Sequence, residues 1–109
     1  MRVPDVSILI VTYNSADTIK ECLKSLNEQT FKSFEVILLD NNSKDNTIEA
    51  VDTIKNIIKY PFYLLREFKN HGFAKGNNLA LMQAKVQLIA LLNPDVKADS
   101  LWLQCLVER

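Results

Sequence analysis

Four short apolar runs alternate along this chain with segments whose apolar residues recur every three or four positions. The runs are Val6–Val11, Phe34–Leu39, Phe62–Leu65 and Leu88–Leu92, each rich in β-branched or aromatic residues and most closed by a polar cluster. They are too short for helices and predict strands, the first two of them buried on both faces. Between them, Ile19, Cys22, Leu23 and Leu26 fall at i, i+3, i+4 and i+7, which is one apolar face of a helix. Ile48, Val51, Ile54 and Ile58 mark a second helix face stopped by Pro61, and about Lys75 to Ala84 reads as a third helix through Leu79 and Met82. Leu101, Trp102, Cys105 and Leu106 mark a fourth. Asn14, Ser15 and Asp17, then Asp45, then Asp99 or Ser100, are placed to cap these helices through side-chain oxygens. The order β-α-β-α-β-α-β-α predicts an α/β, Rossmann-like domain: a mostly parallel four-stranded sheet, right-handed crossovers and helices on both faces.

Composition narrows the function classes. With 109 residues the chain suits a single domain. Its 13 basic and 13 acidic residues cancel, and no Lys/Arg cluster stands out, which argues against a general nucleic-acid binder. The longest apolar runs, Ile8–Val11 and Val86–Leu92 (broken by Gln87), fall far short of the roughly 20 residues of a membrane span. The start, Met1-Arg2-Val3-Pro4-Asp5, lacks a signal-peptide pattern. Cys22 and Cys105 lie in apolar helical patterns and read as buried free thiols of a reducing compartment.

In an open parallel sheet, ligands bind beyond the carboxyl ends of the strands where strand order reverses. The polar residues collect at those ends. Thr12, Tyr13 and Asn14 follow the first run, Asp40, Asn41 and Asn42 the second, and Asn93 and Asp95 the fourth. Missing motifs matter equally. The only glycines are Gly72 and Gly76, so the turn after the first strand has neither the Gly-rich form of a dinucleotide site nor a P-loop. A sugar nucleotidyltransferase would also need a Gly-rich loop there. A receiver domain would need an acidic pair after the first strand and an Asp after the third, where this chain has Thr-Tyr-Asn and Glu67-Phe-Lys69. The aromatic face of Tyr13 and the carboxylate of Asp40 suit a nucleobase and ribose. A pyrophosphate would then need a divalent cation, for which Asp95 in its Pro-bounded turn is the natural holder. Singly, each residue has a plainer reading: Tyr13 as core edge, Asp40 and Asp95 as turn formers, His71 as a loop residue, Asn78 as helix surface, Trp102 as a core or interface anchor, and Glu67 and Asp99 as solvated.

Four stretches, in order and in spacing, resemble the inverting family 2 glycosyltransferases of the GT-A fold: Ser7-Ile-Leu-Ile-Val-Thr-Tyr-Asn-Ser15, Val36-Ile-Leu-Leu-Asp-Asn-Asn-Ser-Lys-Asp-Asn-Thr47, Asn70-His-Gly-Phe-Ala-Lys-Gly-Asn-Asn78 and Leu91-Leu-Asn-Pro-Asp-Val96. The last most resembles the branch that includes rhamnosyltransferases of bacterial surface polysaccharides. The resemblance implies that the backbone around Thr12 and the ring of Tyr13, with Asn14 beside them, contact the base. It implies that Asp40 hydrogen-bonds base or ribose with Asn41 beside it, and that His71 and Asn78 line the diphosphate or sugar side. Asn93-Pro94-Asp95 takes the place of the family's Asp-x-Asp metal motif, with Asp95 at its last carboxylate, the position for Mg²⁺ or Mn²⁺. Asn93 replaces the first carboxylate, so the cation is expected to bind weakly or together with the nucleotide's phosphates.

The resemblance further implies that residues 1–109 form one nucleotide-sugar-binding domain that ends before the acceptor-binding part. The general base is then expected beyond Arg109, and the isolated chain is expected to bind donor weakly and transfer nothing. The implied function is donor binding, of a UDP- or dTDP-sugar, for inverting transfer to a glycan or lipid-linked acceptor. The implied location is the cytoplasm, peripheral at the inner membrane face. A non-catalytic nucleotide-binding or interaction module is the alternative, and an incompletely covered sheet face would favour a homo-oligomer.

Overall fold

All four apolar runs are strands of one parallel sheet in the computed structural model, which describes residues 3–84 and 88–108. The elements are β1 (Val6–Thr12), α1 (Ile19–Leu26), β2 (Phe34–Asp40), α2 (Thr47–Ile54), a 3₁₀ turn (Lys55–Ile57), β3 (Phe62–Arg66), α3 (Phe73–Leu81), β4 (Leu88–Leu91) and α4 (Trp102–Val107). The strand order is β3-β2-β1-β4. Thr12 pairs with Asp40 and Asp40 with Arg66, so the strand ends form a common rim. Val86 and Gln87, at the head of the fourth apolar run, lie outside the described residues.

The two central strands are apolar on both faces because both faces are covered. Val6, Ile8 and Ile10 of β1 and Phe34, Val36 and Leu38 of β2 pack with Ile19, Cys22, Leu23 and Leu26 of α1, Val51 and Ile54 of α2, and Leu103 of α4. Leu9, Val11, Ile37 and Leu39 face the other way, against Ala80 of α3. α3 sits close to the sheet because Gly76 has no side chain: a Cβ there would meet Val11 Cγ1 at 2.8 Å and Asn41 Nδ2 at 3.0 Å.

Several local expectations are corrected. Asn14 and Ser15 do not cap α1, which begins at Ile19 with Thr18 at its N-cap and no side-chain cap. Asn14 is in the left-handed region (φ 53°), and the backbone N–H groups of Asn14 and Ser15 bond to the next loop, which wins over local capping. α2 stops at Ile54, short of Ile58, because Asn27 takes the Ile57 carbonyl with Nδ2 and the Lys59 N–H with Oδ1. α3 starts at Phe73 and ends at Leu81, two residues earlier and three residues shorter than expected at its two ends. In α4 the fully buried residue is Leu103, whereas Leu101, Cys105 and Leu106 are exposed. Cys105 is thus not a buried thiol, while Cys22 is. Glu67 is not freely solvated, since it pairs with His71. Among the described residues, no helix is long and apolar enough to cross a membrane.

Candidate functional site

β1 has β2 on one side and β4 on the other, so the order reverses between β1 and β4 and the loops leaving them diverge. A cleft of about 480 Å³ opens there. Its walls are Tyr13, Asn14 and Ser15 after β1, Asn41 after β2, Asn70, Gly72 and Phe73 at the start of α3, and Asn93, Pro94 and Asp95 after β4.

The first wall is held by the loop after β2. Ser43 Oγ accepts the Asn14 N–H at 2.9 Å, Thr47 Oγ1 the Ser15 N–H at 2.8 Å, and Asp45 Oδ2 the Ala16 N–H at 3.2 Å. Asn14 Oδ1 accepts the Lys44 N–H at 2.7 Å in return. Asp45 also accepts the Thr47 N–H at 3.0 Å, as a cap would. Slight burial pushes its carboxyl up, but the bonds from the Thr47 hydroxyl and from the Ala16 and Thr47 backbones outweigh this and hold its pKa below the ordinary value. The Ser43-to-Thr47 hydroxyls and carboxylate therefore shape the loop after β1 without lining the cleft.

The last wall is pinned by polar side chains buried on and after α1. Cys22 Sγ lies 3.7 Å from the Asn93 carbonyl, Ser25 Oγ accepts the Ala98 N–H at 2.9 Å, and Gln29 donates to the Asp99 carbonyl at 2.6 Å while accepting the Leu103 N–H at 3.0 Å. These bonds fix the segment that carries Asp95. Burial, and secondarily the charge of Asp95, push the Cys22 thiol up to about 12.

Of the residues expected at the site, Tyr13, Asn14, Asn41, Asn93 and Asp95 come together in the cleft. Thr12, Asp40, His71 and Asn78 lie outside its lining. Thr12 is fully buried and donates to Asp40 Oδ1 at 2.7 Å. Asp40 is 3% exposed and also accepts the Ser43 hydroxyl (2.6 Å, on Oδ1) and N–H (3.0 Å, on Oδ2). His71 Nε2 turns to Glu67 Oε1 at 2.9 Å. Asn78 is exposed on α3. The sequence presents Asn70, Gly72 and Phe73 only as part of the Asn70–Asn78 stretch, and Ser15 as a cap and the end of the Ser7–Ser15 stretch, without a site role. Their place in the wall depends on how α3 meets the sheet.

The cleft lining holds four asparagines and one carboxylate, Asp95, with no Lys or Arg. Among the described residues no group of three or more His, Cys, Asp or Glu gathers into a metal cage. This donor set fits a hard divalent cation shared with a ligand's phosphate oxygens and does not fit an all-protein site.

Comparison with known proteins agrees with this geometry. The family described as "Glycosyl transferase family 2" matches residues 7–109. A cholesterol galactosyltransferase of Borreliella burgdorferi is 31% identical over 104 residues, 95% of this chain and 28% of the relative. TarS of S. aureus in complex with UDP-GlcNAc superposes with a TM-score of 0.84 at 30% identity, over 94% of this chain and 30% of that one. The mannosyltransferase PcManGT of Pyrobaculum calidifontis, in complex with GDP-Man and Mn²⁺, gives 0.79 at 28% identity, over 87% of this chain and 28% of that one. The chain thus spans less than a third of the length of each of these proteins.

Proposed function

This chain belongs to glycosyl transferase family 2, and from that premise we propose that its cleft binds the nucleoside-diphosphate part of a sugar donor for inverting transfer to a glycan or lipid-linked acceptor. The observation that carries the reading is that Tyr13, after β1, and Asp95, after β4, line one cleft at the strand-order reversal. Tyr13, 43% exposed, offers its ring to the base, with Asn14 at the rim. Asp40 Oδ2 accepts a single described bond and keeps capacity for a base N–H or ribose hydroxyl. With no cationic side chain in the lining, Asp95 would hold the divalent cation, with Asn93 beside it. The cation would supply Lewis-acid stabilisation of the departing diphosphate. The acceptor oxygen would bond to the anomeric carbon as the bond to the diphosphate breaks, and a general base would take the hydroxyl proton. Among the described residues Asp95 is the one carboxylate in the cleft lining, and its metal-holding role leaves the base unassigned within that lining.

The complexes of UDP-GlcNAc with TarS and of GDP-Man and Mn²⁺ with PcManGT support a metal-assisted nucleotide-sugar site. The Leu92-Asn-Pro-Asp95 stretch supports placement in the rhamnosyltransferase-like branch. The name of the Borreliella relative, a cholesterol galactosyltransferase, supports a lipid acceptor.

The test is calorimetric titration of the purified chain with UDP, dTDP and GDP, with and without Mn²⁺, repeated on Asp95→Ala. Mn²⁺-dependent binding that falls about tenfold or more in the variant is expected. A folded chain that binds none of the nucleotides, or binds them equally well without Asp95, would refute the reading.

A further inference from the structure

Asn41 lies beside Asp40 at the rim and lines the cleft, and both ends of its side-chain amide are bonded within the protein. It is 1% exposed. Its backbone N–H donates to the Thr12 carbonyl at 2.9 Å, which ties it to β1. Its side-chain amide reaches the opposite wall: Nδ2 donates to the Gly72 carbonyl at 3.1 Å, and Oδ1 accepts the His71 N–H at 3.3 Å. The amide thus pairs with one donor and one acceptor of a single turn, as a peptide group of an adjacent strand would.

That turn begins the part of the cleft lining at the start of α3, in the same cleft as Asp95. Gly72 sits at φ +81°, with its N–H held by Asn70 Oδ1 at 2.8 Å. Its carbonyl also receives the Gly76 N–H at 3.0 Å, so the Asn41 amide and the first turn of α3 share one acceptor. Gly76 lets the helix rest on this joint, because a Cβ would come within 3.0 Å of Asn41 Nδ2 and 2.8 Å of Val11. Asn70, Gly72 and Phe73, all in the cleft lining, ride on the same piece of chain.

We propose that Asn41 is a positioning residue: it fastens the Asn70–Phe73 wall to the sheet, sets the separation of that wall from Asp95, and so tunes nucleotide affinity without itself serving as a ligand. The proposal rests on the nucleotide-binding reading for its effect on affinity, and on the hydrogen bonds alone for its effect on the wall.

Asn41→Asp is nearly isosteric and separates the two. An ionised carboxylate still accepts the His71 N–H but turns a negative oxygen toward the Gly72 carbonyl. A protonated one regains a donor. Burial and the neighbouring Asp40 would raise the introduced carboxyl above the usual value of about 3.9. The titratable and charged groups on the elements that meet around the joint are Asp40 on β2, Tyr13 after β1, the Glu67–His71 pair after β3 and Lys75 on α3, with Asp95 in the same cleft lining. All are common to both proteins, so the difference between the proteins reports on position 41.

UDP is titrated with Mn²⁺ present into both proteins at about pH 8.5 and about pH 5.5. The variant should bind about tenfold more weakly at the higher pH, with the gap largely closing at the lower. Amide hydrogen exchange of residues 71–76, without ligand, should quicken in the variant at the higher pH relative to the wild type and return toward it at the lower. Gly76→Ala, which lifts α3 sterically, should weaken UDP binding and quicken exchange at both pH values. If the wild-type chain binds none of UDP, dTDP and GDP, the nucleotide reading fails, and the exchange data still decide whether Asn41 holds the wall; if it binds dTDP or GDP instead, that nucleotide replaces UDP in the titration. Equal exchange in Asn41→Asp and wild type, or an affinity gap that does not change with pH, would overturn the proposal.

Discussion

A buried amide can satisfy a backbone donor and a backbone acceptor at once, and the buried Asn41 and Gln29 are both used in this way. A side chain of similar volume without that pairing would leave peptide groups unsatisfied. The cysteines differ as sharply. Cys22 is 1% exposed, and its thiol is pushed up to about 12 by burial and then by the nearby Asp95 charge, whereas Cys105 is exposed. A raised pKa keeps Cys22 as the unreactive thiol at neutral and mildly alkaline pH. A thiol reagent added to the native chain at about pH 8 should therefore modify one cysteine quickly and the second only on unfolding. Rapid modification of both would mean that the contact between α1 and the Asn93 turn opens readily. The sequence placed both cysteines in apolar helical patterns and could not tell them apart. The difference arises because α4 turns Leu103, and not Cys105, toward α1.

At the scale of elements, the sequence showed where each strand and helix lies to within a few residues, because strand burial and helix amphipathicity leave periodic traces. It did not show what joins the loops. Asp45 reads as a cap, yet Ser43, Asp45 and Thr47 each send one bond across to the loop after β1. Gln29, in no predicted pattern, anchors the whole segment that carries Asp95. Gln29→Leu keeps the volume but leaves the Leu103 N–H and the Asp99 carbonyl without their partner. It should lower stability by about 2 kcal/mol in chemical denaturation and weaken Mn²⁺-dependent UDP binding with it. Unchanged stability would mean that water takes over both bonds, and unchanged binding would mean that Asp95 is placed independently of α1.

Across the whole molecule the two sheet faces are covered unequally. α1, α2 and α4 share one face, while α3 alone lies on the other, over β1 and β2. On that second face the edge strands stay open: Leu91 is 56% exposed, Tyr63 52% and Ile89 37%. An apolar edge of this kind favours association. Sedimentation velocity of the purified chain should show association that grows with concentration. Leu91→Lys should reduce it while changing stability by no more than about 0.5 kcal/mol, since the side chain is already largely solvated. A single species at every concentration would mean that the open edge is too small to pair two copies.

The sequence by itself determined the order of elements, the doubly buried central strands and the rim where polar residues gather. Those properties follow from local chemistry: apolar period, β-branching and the polar residues that close each run. Tertiary structure alone decided which rim residues face the cleft. Asp40 and Asn41 are adjacent in sequence, yet Asp40, taken up by Thr12 and Ser43, stays out of the lining, while Asn41 lines the cleft and bonds to the turn at Gly72. His71 turns to Glu67, while Asn70 and Phe73 on either side of its turn line the wall. A polar side chain at a strand end has several partners within reach. Only the packing of α3 and of the Asp95 segment against the sheet settles which one it takes.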